Sequence, residues 1–345
     1  MTKLTQAFAE QSEHCTALGS PFMGQLMALC AERWPREGAV AQRMLLWPGH
    51  VGPAAASLPL RIAGGLHALV LSGQDLGLAA VYPPHVPSDT ALWDEVARAL
   101  EDHQDFLLAW IKNAPQTNEV RRSAALIPAA HLVAARFEVP WQLSELGASG
   151  GLNLNFDAFH LETPHQAFGP DGDVCLSPRW TGPCPTPAQF EVSERRGVDL
   201  NPLLSDDPDD ALRLQAYLWP DQTERMARTR AALALPAPQV DQDDAVDWLA
   251  RRLDAPFDGG RMIYSTVAWQ YFSKAAQQRG VAILAAAGSR ATEETPLAWI
   301  SMETDGGSRG AALVLHLWPG ALRLELARVD FHGRWLEWTG PISLT

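Results

Sequence analysis

The stretch Pro140-Trp141-Gln142-Leu143-Ser144-Glu145-Leu146-Gly147-Ala148-Ser149-Gly150-Gly151-Leu152-Asn153-Leu154-Asn155-Phe156-Asp157 decides how the chain folds. An apolar run from Val139 to Leu146 ends in the small residues 147–151, and an amphipathic run resumes at Leu152. This order predicts a buried parallel strand passing through a tight loop into a helix. Glycine suits such a loop because the backbone must visit positive φ and let a ligand approach where a Cβ would obstruct it. The first amides of the helix would then point at the ligand and favour its anionic or polar groups. The stretch is therefore a candidate nucleotide-type ligand loop, set against the plainer reading of a close-packed strand-to-helix connection.

Spacing narrows the ligand. A Gly-x-Gly-x-x-Gly fingerprint counted from Gly147 would put Ser149 and Leu152 where its second and third glycines belong, and no Lys-Ser or Lys-Thr follows to make a P-loop. Read from Glu145, the pattern acid-x-Gly147-x-Ser149-x-Gly151 resembles the first motif of class I S-adenosylmethionine methyltransferases, Asp/Glu-x-Gly-x-Gly-x-Gly, departing from it at Ser149.

Composition removes several function classes. With 47% hydrophobic and 19% charged residues, 345 residues suffice for two domains without disulfide staples. A formal net charge of −13 argues against a nucleic-acid partner, whose phosphates demand clustered Lys and Arg. Cys15, Cys30, Cys175 and Cys184 are too scattered for a disulfide framework, and His160, His165, Cys175 and Cys184 match no zinc spacing, so no metal is expected. Nothing in the sequence reads as a signal peptide or a membrane span, which leaves a soluble cytoplasmic protein as the expectation.

Residues 1–136 read as a helical N-terminal domain. Ser20-Pro21 precedes Phe22, Leu26, Leu29 and Cys30 at helical spacing, and Ser88-Asp89 precedes Leu92, Val96 and Leu100. Gly64 and Gly65 interrupt an apolar run for close backbone packing or a break, and His67 after them is either a satisfied core histidine or a catalytic base. In Pro115 to Arg122, a cap at Thr117 or Asn118 would put Asn118 and Arg122 on one face with Glu119 beside them. That is either a solvated helix cap or a substrate clamp over the loop. Pro128 is expected to kink or restart the helix.

Residues 160–190, rich in Pro, Gly and Asp, read as an irregular excursion or lid. A second strand follows at 190–192 or 197–200 and ends at Asp199, where this fold type places the acid that binds ribose hydroxyls. Arg195-Arg196-Gly197-Val198-Asp199-Leu200-Asn201-Pro202 resembles the second methyltransferase motif. The acidic run before Trp248 resembles the region where a carboxylate holds adenine, here Asp243 or Asp244, and is otherwise a helix N-terminus. Residues 261–272 read as a fourth strand entering a polar, aromatic loop, with Trp269 and Tyr271 as walls of a substrate pocket. Residues 296–303 read as a fifth strand, and 311–327 as a hairpin around Pro319-Gly320.

Across residues 58–340 the sequence resembles a bacterial family catalogued as a domain of unknown function. The resemblance rests on Gly-Gly-Leu-His (64–67), Gln-Thr-Asn-Glu (116–119), Glu-Leu-Gly-Ala-Ser-Gly-Gly-Leu-Asn (145–153), Asp-Leu-Asn-Pro (199–202), Trp-Pro-Asp-Gln (219–222) and His-Gly-x-Trp (332–335). The methyltransferase resemblance covers about residues 138–340. It implies an α/β domain over 137–345, a mostly parallel Rossmann-type sheet with a C-terminal antiparallel hairpin, behind the helical cap. It also implies methyl transfer from S-adenosylmethionine to a small or medium-sized acceptor. Glu145, Gly147, Ser149, Gly150 and Gly151 would cradle the methionine end, Asp199 and Asn201 the ribose, and Asp243 or Asp244 the adenine, with Ser265 a further cofactor contact. Glu119 or His67 would serve as base, with Arg122 or Asn118 orienting the acceptor. The alternatives are a regulatory protein that binds S-adenosylmethionine or a nucleoside without turnover, motivated by Ser149, and a nicotinamide-dependent oxidoreductase, disfavoured by glycine spacing and the terminal hairpin.

Overall fold

The computed structural model describes residues 2–344 except 54 and 308. The chain forms two units, one of residues 1–117 with 207–230 and the other of residues 118–206 with 231–345.

The first unit is helical. Its longer helices are Lys3–Ala17, Pro21–Arg33, Leu58–Leu71 and Asp89–Asp102, joined by Pro208–Ala216 and the start of Thr223–Leu233. Ser20 and Ser88 cap their helices by accepting from Met23 N and Ala91 N, as the sequence predicts. Asp221 reinforces the first cap, accepting from Ser20 Oγ at 2.5 Å and Phe22 N at 3.0 Å. The paired glycines lie inside the helix Leu58–Leu71 and serve close packing: a methyl group at Gly64 would sit 2.5 Å from the Tyr217 ring.

The second unit carries a nine-stranded sheet. In chain order its main strands are β1 (Trp141–Leu146), β2 (Val192–Asp199), β3 (Gln239–Gln242), β4 (Gly260–Thr266), β5 (Leu297–Glu303), β6 (Ala311–Trp318), β7 (Leu322–Val329) and β8 (Trp335–Trp338). Their spatial order is β3-β2-β1-β4-β5-β6-β7-β8, closed by the short edge strand Arg179–Thr181. The first five are mutually parallel and the rest run as an antiparallel meander, the edge strand pairing parallel to β8. Every residue of β1 is buried, as a central parallel strand covered on both faces requires. The helix Ser123–Ala134 and the segment after the glycine loop pack into the large core that includes Leu143, Tyr264 and Met302. Helices Ala245–Asp254 and Lys274–Gly288 join a separate core with Leu146, Val198, Ile263 and Trp299.

Two expectations are corrected, the domain boundary and the lid, and two are made specific. The division falls at 117/118 rather than 136/137, because the helix Ser123–Ala134 buries nearly all its side chains in the core of the sheet unit. Pro128 lies inside that helix, which continues to Ala134. The helix expected from Leu152 is a 3-10 helix, Leu152–Ala158, with non-helical backbone at Asn155. Residues 160–190 are no lid: Leu161, Phe168, Val174, Leu176 and Trp180 are core residues, and 179–181 add a strand to the sheet. Among the described residues no helix is long and apolar enough to cross a membrane.

Candidate functional site

In the order 3-2-1-4-5 the winding direction reverses between β1 and β4, and ligands of doubly wound folds bind beyond the carboxyl ends of the strands at that point. Two loops meet there. After β1, Gly147, Ser149 and Gly151 adopt φ of 71°, 54° and 70°. After β4, Val267 has φ 56°, an outlying conformation for a β-branched residue. The loops touch so closely that a methyl group at Gly147 would sit 2.5 Å from Ala268 Cβ.

Most amides of the first loop are already engaged. Gly147 N and Ala148 N donate to Val198 O, Gly151 N to Ala148 O, Ser149 N to Asp199 Oδ2 at 2.8 Å and Leu152 N to Asn118 Oδ1 at 2.7 Å. The expected row of free helix-terminal amides is therefore absent. Gly150 N–H has no acceptor among the described residues. The other oxygen of Asp199 accepts from Asn201 N at 2.9 Å, so this carboxylate pins the ends of β1 and β2 together.

Beneath the loop lies Glu145, 2% exposed, paired in register with Gly197 of β2 and Tyr264 of β4. Its Oε2 is buried without a hydrogen-bond donor. Burial pushes this carboxyl well above the carboxylate range and the charge of Asp199 adds to the rise, while Arg122 and Asn153 oppose it. Ser149 Oγ and Ser265 Oγ are likewise buried and unpartnered, the latter beside Glu303 but outside hydrogen-bond geometry. Glu145 Oε2 and Ser149 Oγ are thus two buried polar atoms without a partner at the switch point, with Ser265 Oγ beside Glu303.

The segment 118–123 converges on this point. Glu119, 3% exposed, accepts from Arg121 N and caps the 3-10 turn Val120–Arg122, a place expected for Thr117 or Asn118. Arg122 donates to Thr266 O at 3.0 Å and Phe331 O at 2.9 Å, bracing the end of β4. Ser123 Oγ donates to Asn153 Oδ1 at 2.7 Å, and Tyr264 OH to Asn153 O at 3.2 Å. The clamp foreseen over the loop thus exists as a brace beneath it, with Asn118 committed to Leu152.

Glu303, at the end of β5, was not legible in the sequence. Its carboxylate accepts from three successive amides of the second loop, Ala268 at 3.1 Å, Trp269 at 3.0 Å and Gln270 at 3.3 Å. Burial raises its pKa against the pull of those amides.

The remaining expected residues divide. Asp243 follows β3 beside Asp199, its amide donating to Asp199 O, and its carboxylate pairs with Arg251. Asp244 caps the helix Ala245–Asp254 through Val246 N and Asp247 N. Both therefore lie at the carboxyl edge, with the capping reading realised for Asp244. Trp269 is corrected: it is a core residue, its ring against Phe272 and Trp299 and over Gly280, and so is no pocket wall. Tyr271 is 76% exposed. His67 belongs to the helical unit, where its Nδ1 bonds Ala216 O at 3.1 Å and burial pushes its pKa down to about 4.

Fold and site define an α/β protein of the doubly wound kind with buried, unpartnered polar atoms at its switch point. A match to the family described as "Uncharacterized protein conserved in bacteria (DUF2332)" spans residues 5–338, and the chain belongs to that family. No curated protein and no solved structure matches it.

Proposed function

We propose that the chain binds S-adenosylmethionine at this switch point and transfers its methyl group to a small or medium-sized acceptor. The observation that carries the reading is the buried, donor-less Oε2 of Glu145 beneath a glycine loop at the switch point. A ligand bearing an ammonium group would give Oε2 the donor it lacks and add its charge to that of Arg122, and so fits the residues present. Ser149 Oγ and Gly150 N–H offer two further unmet groups at the loop. Asp199 keeps lone pairs beyond its two amide bonds for ribose hydroxyls, and the residues after β3 flank the place for the base.

When bound, the cofactor supplies an electrophilic methyl group. The protein's part is to hold donor and acceptor in near-attack geometry and exclude water. Of the bases foreseen, Glu119 stays with the loop brace, whereas His67 belongs to the helical unit. A fold of this kind does not by itself fix a reaction, so binding and turnover are tested separately.

The test is calorimetric titration of the full chain with S-adenosylmethionine and with its demethylated product, in buffers of different ionisation enthalpy. The expected result is saturable heat with net proton release below the raised pKa of Glu145, lost in Glu145→Gln. No heat and no change in melting temperature would sink the reading. Binding without methylated product from a broad acceptor screen would favour the regulatory alternative, whose structural motive is the Ser149 side chain inside the loop.

A further inference from the structure

The helical unit holds a partly open cavity of about 50 Å³. Three segments singled out in the sequence meet on its wall, Gly64 and His67 from Gly-Gly-Leu-His, Thr117 from Gln-Thr-Asn-Glu, and Trp219 and Pro220 from Trp-Pro-Asp-Gln, together with Tyr217. The Tyr217 ring packs against Gly64, in the space a side chain there would take.

The polar groups here are unevenly satisfied. His67 is held by Ala216 O and stays neutral, since burial lowers its pKa and Arg230 acts in the same direction. The Tyr217 hydroxyl, on a residue 8% exposed, has the buried Trp110 Nε1–H beside it as a donor just outside hydrogen-bond geometry, and its own proton has no acceptor. Arg213 lies over the Trp110 ring at 4.9 Å, and both Arg213 and Arg61 act on Tyr217 as positive charges. An unmet hydroxyl proton in a positive field calls for an acceptor oxygen, and the field repels a cation. The rest of the wall, including Met23, Leu60 and Ala63, is aliphatic. Since an apolar cavity of roughly 150 Å³ holds a benzene ring, one of about 50 Å³ admits only a chain end.

We propose that this cavity is a second ligand site, which takes the end of a small molecule bearing a carbonyl or carboxylate oxygen on a short aliphatic stem, with Tyr217 as its hydrogen-bond donor. The site stands independently of methyl transfer, and its test needs no S-adenosylmethionine.

Propionamide, propionate and propylammonium are titrated into the full chain labelled with ¹⁵N-histidine, reading the His67 ring nitrogens, identified by their loss in His67→Phe. Propionamide or propionate should shift them saturably, and which of the two binds tells a neutral ligand from an anionic one. Propylammonium should not shift them. Tyr217→Phe should weaken the effect at least about tenfold, and Ala63→Leu, which fills the cavity, should abolish it. Should one variant fail to fold by circular dichroism, the other decides. The proposal is overturned by the absence of saturable shifts with both oxygen probes, by an equal response to the cation, or by undiminished affinity in the folded variants. The first of these outcomes would mean that the cavity holds water alone.

Discussion

The contact between Gly147 and Ala268 yields a prediction with two separable parts. Gly147→Ala puts a Cβ on a residue at φ 71°, and that Cβ would lie 2.5 Å from Ala268 Cβ. The left-handed backbone costs about 1–2 kcal/mol, and the overlap about 1–3 kcal/mol as overpacking, so the single variant should lose roughly 2–5 kcal/mol. Adding Ala268→Gly removes the overlap, since the next atom, Ala268 Cα, is 3.8 Å away. It leaves the backbone cost and adds about 0.5–1 kcal/mol for the new glycine, so the pair should lose about 1.5–3 kcal/mol. Urea unfolding of the two singles and the double measures this coupling. A double variant no more stable than the additive expectation would refute the claim that the loops after β1 and β4 are held against each other. On the proposed function, the affinity for S-adenosylmethionine should follow the same order, weakest in Gly147→Ala and partly restored in the double.

Glu145 has a raised pKa in the folded state, so its contribution to stability is present at acid pH and is lost as pH rises through that pKa. Glu145→Gln should therefore be more stable than wild type at pH 7, with the gain vanishing below about pH 4, as pH-dependent melting would show. His67 is the opposite case: the unfolded imidazole takes up its proton near pH 6.5 and the folded one only near 4. Its contribution, full above pH 6.5, should thus disappear between pH 6.5 and 4, by roughly 3 kcal/mol, and a stability-against-pH curve of His67→Gln should lack that slope. Ser149→Gly relieves a left-handed non-glycine residue and should stabilise by up to about 1 kcal/mol while weakening ligand binding. Unchanged affinity would remove Ser149 Oγ from the site. Glu303→Gln should speed amide exchange at 268–270, and much less so when Val267→Gly has already relaxed the loop. Equal acceleration in both backgrounds would show that the carboxylate does not hold Val267 in place.

The sequence made much of this readable where chemistry and periodicity coincide. Glu145, the loop 147–151 and Asp199 could be placed because a buried strand, a run of small residues and a terminal acid each leave a local signature, and the parallel strands repeat it. Asn118 was visible as a polar group near a helix start, but its partner, Leu152 N, lies 34 residues on, and nothing local predicts that bond. Glu303 is an ordinary acid at a strand end until the pairing of Thr266 with Met302 brings it to the amides of 268–270. Val267 runs against its own propensity, since branched side chains disfavour positive φ. Trp269 was misread because an aromatic after a strand suits a pocket, while the clue to its burial was a distant glycine, Gly280. The amphipathic helices of 207–230 were legible as helices, but periodicity does not say which core an apolar face joins.

The return of residues 207–230 to the helical unit bears on how the protein is made. On a ribosome, β1 and β2 emerge before the helical unit has received its last two helices, so His67 waits for Ala216 while part of the second unit is already outside the exit tunnel. Cutting the gene after codon 117 would thus yield two fragments, neither complete. The second would carry Leu214, Ala216 and Leu218 uncovered. Co-expression of both pieces, rather than truncation, is the route to a soluble split form.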